Sequence, residues 1–241
     1  MTVEDSPGIE RVLVVCAHPD DVDFGAAGTV ATWVKAGVSV SYCIVTDGDA
    51  GGSDPTVSRS DMAALRRLEQ IAAASEVGVQ EVIFLGYPDG RLEVSMDLRR
   101  DITRVIRQCR PQRIVAQSPE RNWDRIYACH PDHLAAGEAA TCAVYPDSRN
   151  PFAFPELLAN EGLEPHTVDE LWLMAPKDPD RAVDVTEVFD VKLAALRSHR
   201  SQVGEGEHLE PMLRDWLTAN ANAAGLGAGR LAESFRVVKT T

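Results

Sequence analysis

Two short stretches of this 241-residue sequence gather histidines and carboxylates: His18-Pro19-Asp20-Asp21 and His130-Pro131-Asp132-His133. In the first, the imidazole and the second carboxylate stand three residues apart in a turn stiffened by Pro19, so both can face one point. Two imidazoles and one carboxylate around a divalent cation, with a fourth position left to water, form an open, catalytic zinc arrangement. The carboxylate left over, Asp20, would then stand beside the activated water and take its proton. A single His-Pro-Asp reads as a helix cap or a surface turn. Two of them, each at the boundary of an element, read as halves of one site. Cys129 adjoins the second stretch but has better ligands beside it, and reads as a structural thiol.

Such residues need elements to position them. Apolar runs at Arg11 to Ala17, Val38 to Thr46, Glu81 to Gly86 and Arg113 to Gln117 read as strands, with Leu171 to Ala175 as a late one. They are continuous rather than alternating, the pattern of strands buried on both faces. Helical patterns separate them at Gly28 to Lys35, Ser60 to Val77, Met96 to Cys109 and Leu134 to Val144, with Val191 to His199 near the end. Alternating strands and helices imply right-handed crossovers, and so a Rossmann-like, three-layer α/β fold with a mostly parallel sheet. No linker divides the chain, which reads as a single domain over residues 1–241. The segments Tyr145 to Pro165 and Gly204 to Gly229, the latter with a helix around Met212 to Ala221, read as irregular excursions suited to lids or to contacts in a homo-oligomer.

The loops that follow the first four strands carry His18 to Asp21, Thr46 to Asp49, Tyr87 to Gly90 and Ser118 to Asp124. In an open parallel sheet, ligands bind outside the carboxyl ends of the strands where the strand order reverses. A dinucleotide there needs a GxGxxG turn to seat its pyrophosphate on backbone amides. The first turn reads HPDDVDFG instead, and its carboxylates would repel a phosphate. The chain carries 24 basic and 37 acidic residues, a net charge of −13. That balance excludes a nucleic-acid partner, which needs a basic stripe, and docking on an anionic membrane. The N-terminal residues lack the basic start and apolar stretch of a secretory signal. Five cysteines without a CxxC pair suit core thiols in the cytoplasm.

The combined pattern resembles the LmbE-like, or PIG-L, family of zinc-dependent de-N-acetylases. The resemblance rests on Ala17-His18-Pro19-Asp20-Asp21 with Gly25 and Gly28-Thr29, on Thr46-Asp47-Gly48, and on Arg66 to Glu69. It continues through Phe84 to Gly90, His130 to His133, Lys192 to Ala195, His199 to Gln202 and Ala232 to Phe235, nearly the whole chain. It implies His18, Asp21 and His133 as ligands of one Zn2+ (or another divalent metal) per chain, and Asp20 as general base. His130 would stabilise the oxyanion and protonate the departing amine, with Asp132 orienting that imidazole and raising its pKa. Arg66 and Asp89 match positions that contact the sugar; read without the family, they are a helix charge paired with Glu69 and a turn residue. Two places depart from the pattern. The usual glutamate after Asp21 is Val22, leaving its supporting role to be altered or passed to Asp23; and Ala128 stands where some members carry a tyrosine, with Tyr127 beside it.

Three histidines remain. His166 and His208 read as solvated, and His199 as a packed residue at a helix end. The expected reaction is hydrolysis of the acetyl, or another short acyl, amide of an N-acetylglucosamine-type conjugate, with a small amino-sugar metabolite as the partner. An amidase acting on a thiol conjugate or another acylated natural product is the alternative, and a silent metal- or sugar-binding protein the reading from a different class. A metallophosphoesterase fits less well, since neither a second-metal ligand set nor a cationic phosphate clamp is evident.

Overall fold

Strand β1 (Arg11–Cys16) is an interior strand of a seven-stranded sheet of order β3-β2-β1-β4-β5-β7-β6 in the computed structural model. Residues 8–52, 54–204 and 208–241 are described; the N-terminal residues 1–7 read for a secretory signal, and 205–207 of the late excursion, lie outside them. The chain runs outward from β1 to β2 (Ser39–Thr46) and β3 (Glu81–Tyr87), then returns to place β4 (Arg113–Gln117) on the other side of β1. The order therefore reverses between β1 and β4, and their carboxyl ends flank a ready-made crevice. Strand β5 (Glu170–Met174) continues the parallel set. The arrangement is the expected α/β sheet with helices on both faces.

Strands β1, β2 and β4 are almost wholly buried, as continuous apolar runs require, while the edge strand β3 is half-exposed. One face packs under α2 (Ala27–Lys35), α3 (Arg59–Val77) and α7 (Phe189–Ser198). The other packs under α4 (Met96–Cys109) and α5 (Pro131–Val144). Helix α3 starts where the Ser58 hydroxyl accepts from the Asp61 amide and stops at Gly78, whose φ of 90° suits glycine. Helix α4 starts the same way, with Ser95 accepting from Leu98.

Several elements differ from expectation. Helix α5 begins at Pro131 rather than Leu134, so the second histidine cluster forms its first turn; proline suits N1, and the His130 imidazole caps the end. The turn after His18 contains a short helix, α1 (Asp21–Gly25). The excursion from Tyr145 is partly ordered by α6 (Pro155–Glu161). After the short α8 (Arg200–Val203), helix α9 (Leu209–Ala223) is the helix expected around Met212 to Ala221, longer at both ends. Two late strands, β6 (Arg181–Asp184) and β7 (Ala232–Lys239), extend the sheet antiparallel to each other, with β7 also antiparallel to β5. No described helix is long and apolar enough to cross a membrane.

Candidate metal centre

The crevice between β1 and β4 assembles the two histidine clusters. The Ala17 amide donates to Gln117 Oε1 at 2.9 Å and the Ala17 carbonyl accepts from Thr46 at 2.8 Å, fixing the end of β1. Asp20 follows with φ 92°, a left-handed conformation that costs a non-glycine residue about 1 kcal/mol. Its amide donates to Gln70 Oε1 at 2.8 Å, which holds the turn to α3. Helix α5 delivers His133 from the far side of the crevice. Gly137 permits that approach: a Cβ there would sit 2.3 Å from the Gln117 carbonyl oxygen.

Three donors meet. His18 Nδ1 lies 3.2 Å from His133 Nε2 and 3.3 Å from Asp21 Oδ2, and His133 Nε2 lies 3.0 Å from Asp21 Oδ1. Zinc–nitrogen bonds of about 2.0–2.1 Å in a tetrahedron give donor–donor edges of about 3.3 Å, so this set fits one small cation. Neighbouring groups fix the tautomers that the fit needs. His133 Nδ1 faces the Ala128 carbonyl at 3.3 Å, leaving Nε2 as the ligand. His18 Nε2 faces Asp89 Oδ1 at 3.1 Å and Asp132 Oδ2 at 3.2 Å, leaving Nδ1. Asp21 Oδ2 accepts from the His18 amide at 2.7 Å and from Gln117 Nε2 at 2.9 Å. Such outer partners orient metal ligands and raise their basicity.

Carboxylates dominate the charge around the trio. Burial would lower the pKa of His18, but Asp21, Asp132 and Asp89 around it push it up to about 12. Burial would raise that of Asp21, yet the two imidazoles hold it well below the carboxylate range. Asp20 is pushed up to about 7 by burial and by the Asp21 charge, against the pull of Arg66, His199 and His18. A cation held by Asp21 would offset the charge that lifts Asp20.

Several expected roles are reassigned by position. Asp132 spends its carboxylate on His18 and on the amides of Gly90 at 2.7 Å and Leu92 at 3.2 Å, not on orienting His130. The His130 pKa is lowered rather than raised, by burial and by the His18 charge. His130 Nδ1 accepts from the Asp132 amide at 3.2 Å, so Nε2 is the nitrogen left to act. Arg66 is 3% exposed and donates to the carbonyls of Pro19 at 2.5 Å and Gly48 at 3.0 Å and to Asp20 Oδ2 at 3.1 Å. It clamps the turn after β1 and presents no exposed fork to a sugar. Asp89 is likewise buried, between His18 and the Ala50 amide.

The Tyr127 hydroxyl accepts from Arg125 Nε at 3.1 Å. Cys129 Sγ accepts from the Asn122 amide at 3.0 Å, the structural role expected of it. His208 is exposed, whereas His166 is half-buried with Nε2 2.7 Å from the Pro111 carbonyl, so it is not the solvated residue expected.

Below the turn runs a buried network that single-sequence reading did not assemble. Asp23 Oδ2 meets His199 Nε2 at 2.8 Å and Gln70 Nε2 at 2.9 Å, which anchors α1 to α7 and α3. Lys192 donates to the carbonyls of Asp23 at 2.8 Å and Phe24 at 2.6 Å and to Glu233 Oε1 at 2.7 Å. Glu233, from β7, accepts from the amides of Gly28 at 3.0 Å and Thr29 at 2.7 Å, closing the N-terminus of α2. Asp23 thus ties the turn that carries Asp20 and Asp21 to the helices beneath it. The available signal was chemical: Asp, Lys and Glu inside apolar segments are rarely buried unless paired.

Beside the metal trio opens a cavity of about 510 Å³, walled by Asp21, His133, Phe24, Met174, Tyr127 and Trp216 among others.

Comparison with known proteins gives concordant results. The family described as GlcNAc-PI de-N-acetylase (PIG-L) matches residues 13–144. A diacetylchitobiose deacetylase of Thermococcus kodakarensis is 35% identical over 95% of this chain and 84% of its own. A probable N-acetyl-alpha-D-glucosaminyl L-malate deacetylase 2 of Bacillus anthracis is 31% identical over 80% of this chain and 81% of its own. The solved N,N'-diacetylchitobiose deacetylase of Pyrococcus horikoshii superposes with a TM-score of 0.88 at 31% identity, over 96% of this chain and 85% of that one.

Proposed function

The chain belongs to the GlcNAc-PI de-N-acetylase (PIG-L) family, and on that premise we propose that it is a metal-dependent hydrolase acting on the N-acetyl amide of a glucosamine-type conjugate. The observation that carries this reading is the mutual 3.0–3.3 Å spacing of His18 Nδ1, Asp21 and His133 Nε2, with Asp20 next in the chain. Zn2+ suits two imidazoles and a carboxylate. What the metal supplies when bound is polarisation of the amide carbonyl and a lowered pKa for water, from about 15.7 toward 7.

The remaining steps belong to the chain's own residues. Asp20 takes the proton of the attacking water, in a position set by Gln70 and Arg66. His130 holds a proton on Nε2 for the departing amine. Asp132 and Asp89 keep His18 presenting Nδ1. All of the donors and the base are present, which favours an enzyme over a silent binding protein. Free cysteines throughout suit a reducing cytoplasm, and the late strands β6 and β7 complete the one sheet, so the chain acts as a single domain.

The test is incubation of purified protein with a panel of N-acetylglucosamine conjugates, with acetate and amine read by mass spectrometry. Acetate release that stops on chelation and returns with zinc is expected. Equal turnover by wild type and Asp20→Ala, or protein that holds no divalent metal by elemental analysis, overturns it.

A further inference from the structure

The cavity beside the metal trio is larger and more apolar than the release of acetate requires. An acetyl methyl needs roughly the 30 Å³ that one water claims, yet the cavity measures about 510 Å³. Asp21 and His133 form its inner wall, so it opens directly from the place where the scissile carbonyl must lie. Phe24, Met174, Met212 and Trp216 supply the large apolar side chains of its lining, with Gln117, Ser118, Glu120, Arg125 and Tyr127 along the rest. Asp20, Arg66, Asp89 and Asp132 do not line it. Sugar hydroxyls buried against the part walled by Phe24, Met174, Met212 and Trp216 would lose hydrogen bonds to water and gain few in return. An alkyl or aryl chain would lose nothing and gain from burial. The metal trio therefore has two unlike sides, a carboxylate-rich one and this one.

We propose that the cavity is an acyl pocket, and that the chain hydrolyses N-acyl amino sugars whose acyl group is longer than acetyl. The inference rests on the amide-hydrolase reading above and assigns the acyl end of the substrate. In the reaction, the oxygen of water forms the new bond to the acyl carbon and the C–N bond breaks. The amine leaves with a proton, and the acyl chain leaves as a carboxylate. Met174 and Phe24 form the side of the pocket next to α1, where Gly25 has no room for a side chain: a Cβ would stand 2.6 Å from Met174 Sδ. Met212 and Trp216, both on α9, add to the wall, so the helix expected around Met212 to Ala221 selects the acyl chain.

The experiment compares N-acetyl-, N-butyryl- and N-hexanoylglucosamine on the zinc-loaded protein, and titrates acetate against hexanoate by calorimetry. Each buried methylene should raise kcat/KM roughly threefold, so hexanoyl should exceed acetyl by about a hundredfold, with hexanoate binding tighter than acetate in parallel. Met212→Asp places a charge in the wall at a position already 47% exposed, so the fold tolerates it. The hexanoyl-to-acetyl ratio should then fall to near unity. Longer chains cleaved no faster than acetyl, or a ratio unmoved by Met212→Asp, overturn the acyl pocket while leaving the hydrolase reading intact. Release of no acyl group at all overturns both.

Discussion

Asp132 Oδ2 stands 3.2 Å from His18 Nε2, joining residues 114 positions apart. The other nitrogen of the same ring faces His133, so Asp132 decides which edge of the His18 imidazole is offered to a metal. Asp132 in turn is held by the Gly90 and Leu92 amides, which tie the loop after β3 to the ligand on β1.

Replacing that carboxylate should be read in metal affinity before it is read in rate. Asp132→Ala is expected to weaken zinc binding about 10- to 100-fold, as loss of an outer partner of a ligating histidine does. Competition with a chelator of known affinity measures it. Unchanged affinity would contradict the orienting role.

Under the proposed function, Asp20 acts on the water and does not ligate. Asp20→Asn should lower kcat by about 10²- to 10⁴-fold, the range of general-base catalysis, with zinc affinity kept within a few-fold. Steady-state kinetics and metal titration on the same preparation separate the two effects.

Gly137 makes a packing prediction. The nearest atoms to an added Cβ are backbone, Gln117 O at 2.3 Å, Gln117 C at 3.0 Å and Pro119 N at 3.1 Å, and none can rotate away. Gly137→Ala should cost about 1–3 kcal/mol by overpacking. It should also weaken zinc binding, because α5 carries His133. A thermal melt and a metal titration check both.

Away from the site, Glu170 governs acid stability. Burial would raise its pKa, but hydrogen bonds from Lys239 and Trp172 and the Arg113 charge hold it at about 2 against an ordinary 4.5. A folded-state pKa below the unfolded value stabilises the protein above about pH 4.5, and that stabilisation is lost as pH falls toward 2. Glu170→Gln strands Arg113 between the rings of Trp33 and Trp172 and should cost about 3 kcal/mol near neutrality. The gap between variant and wild type should close as pH falls through that window, which urea unfolding at a series of pH values measures.

The central strands were legible because Val12 to Cys16 and Val40 to Val45 are unbroken apolar runs, which suit a strand covered on both faces. Strand β7 was not, because Glu233, Ser234 and Arg236 interrupt its apolar residues, and nothing local says that Glu233 is buried against Lys192. The start of α5 was placed a turn late for a related reason: its first residues are a proline, an aspartate and a histidine, and their cap is an imidazole rather than a hydroxyl. At the site, residue types and spacing gave His18, Asp20, Asp21 and the second cluster as chemistry. Which group Arg66, Asp89 and Asp132 serve depends on contacts made across the crevice, and spacing along the chain carries no information about those.

Glu233 closes the amides of Gly28 and Thr29, the latter 204 residues earlier. Through Lys192 it also reaches the carbonyls of Asp23 and Phe24. During synthesis the helix that follows the first cluster is made 204 residues before the carboxylate that caps it. A nascent chain short of β7 has emerged with both histidine clusters but without the carboxylate that steadies the ground beneath the first of them. The support beneath the first cluster is therefore complete only once β7 has been made, and deleting β7 should silence a site that its residues never touch.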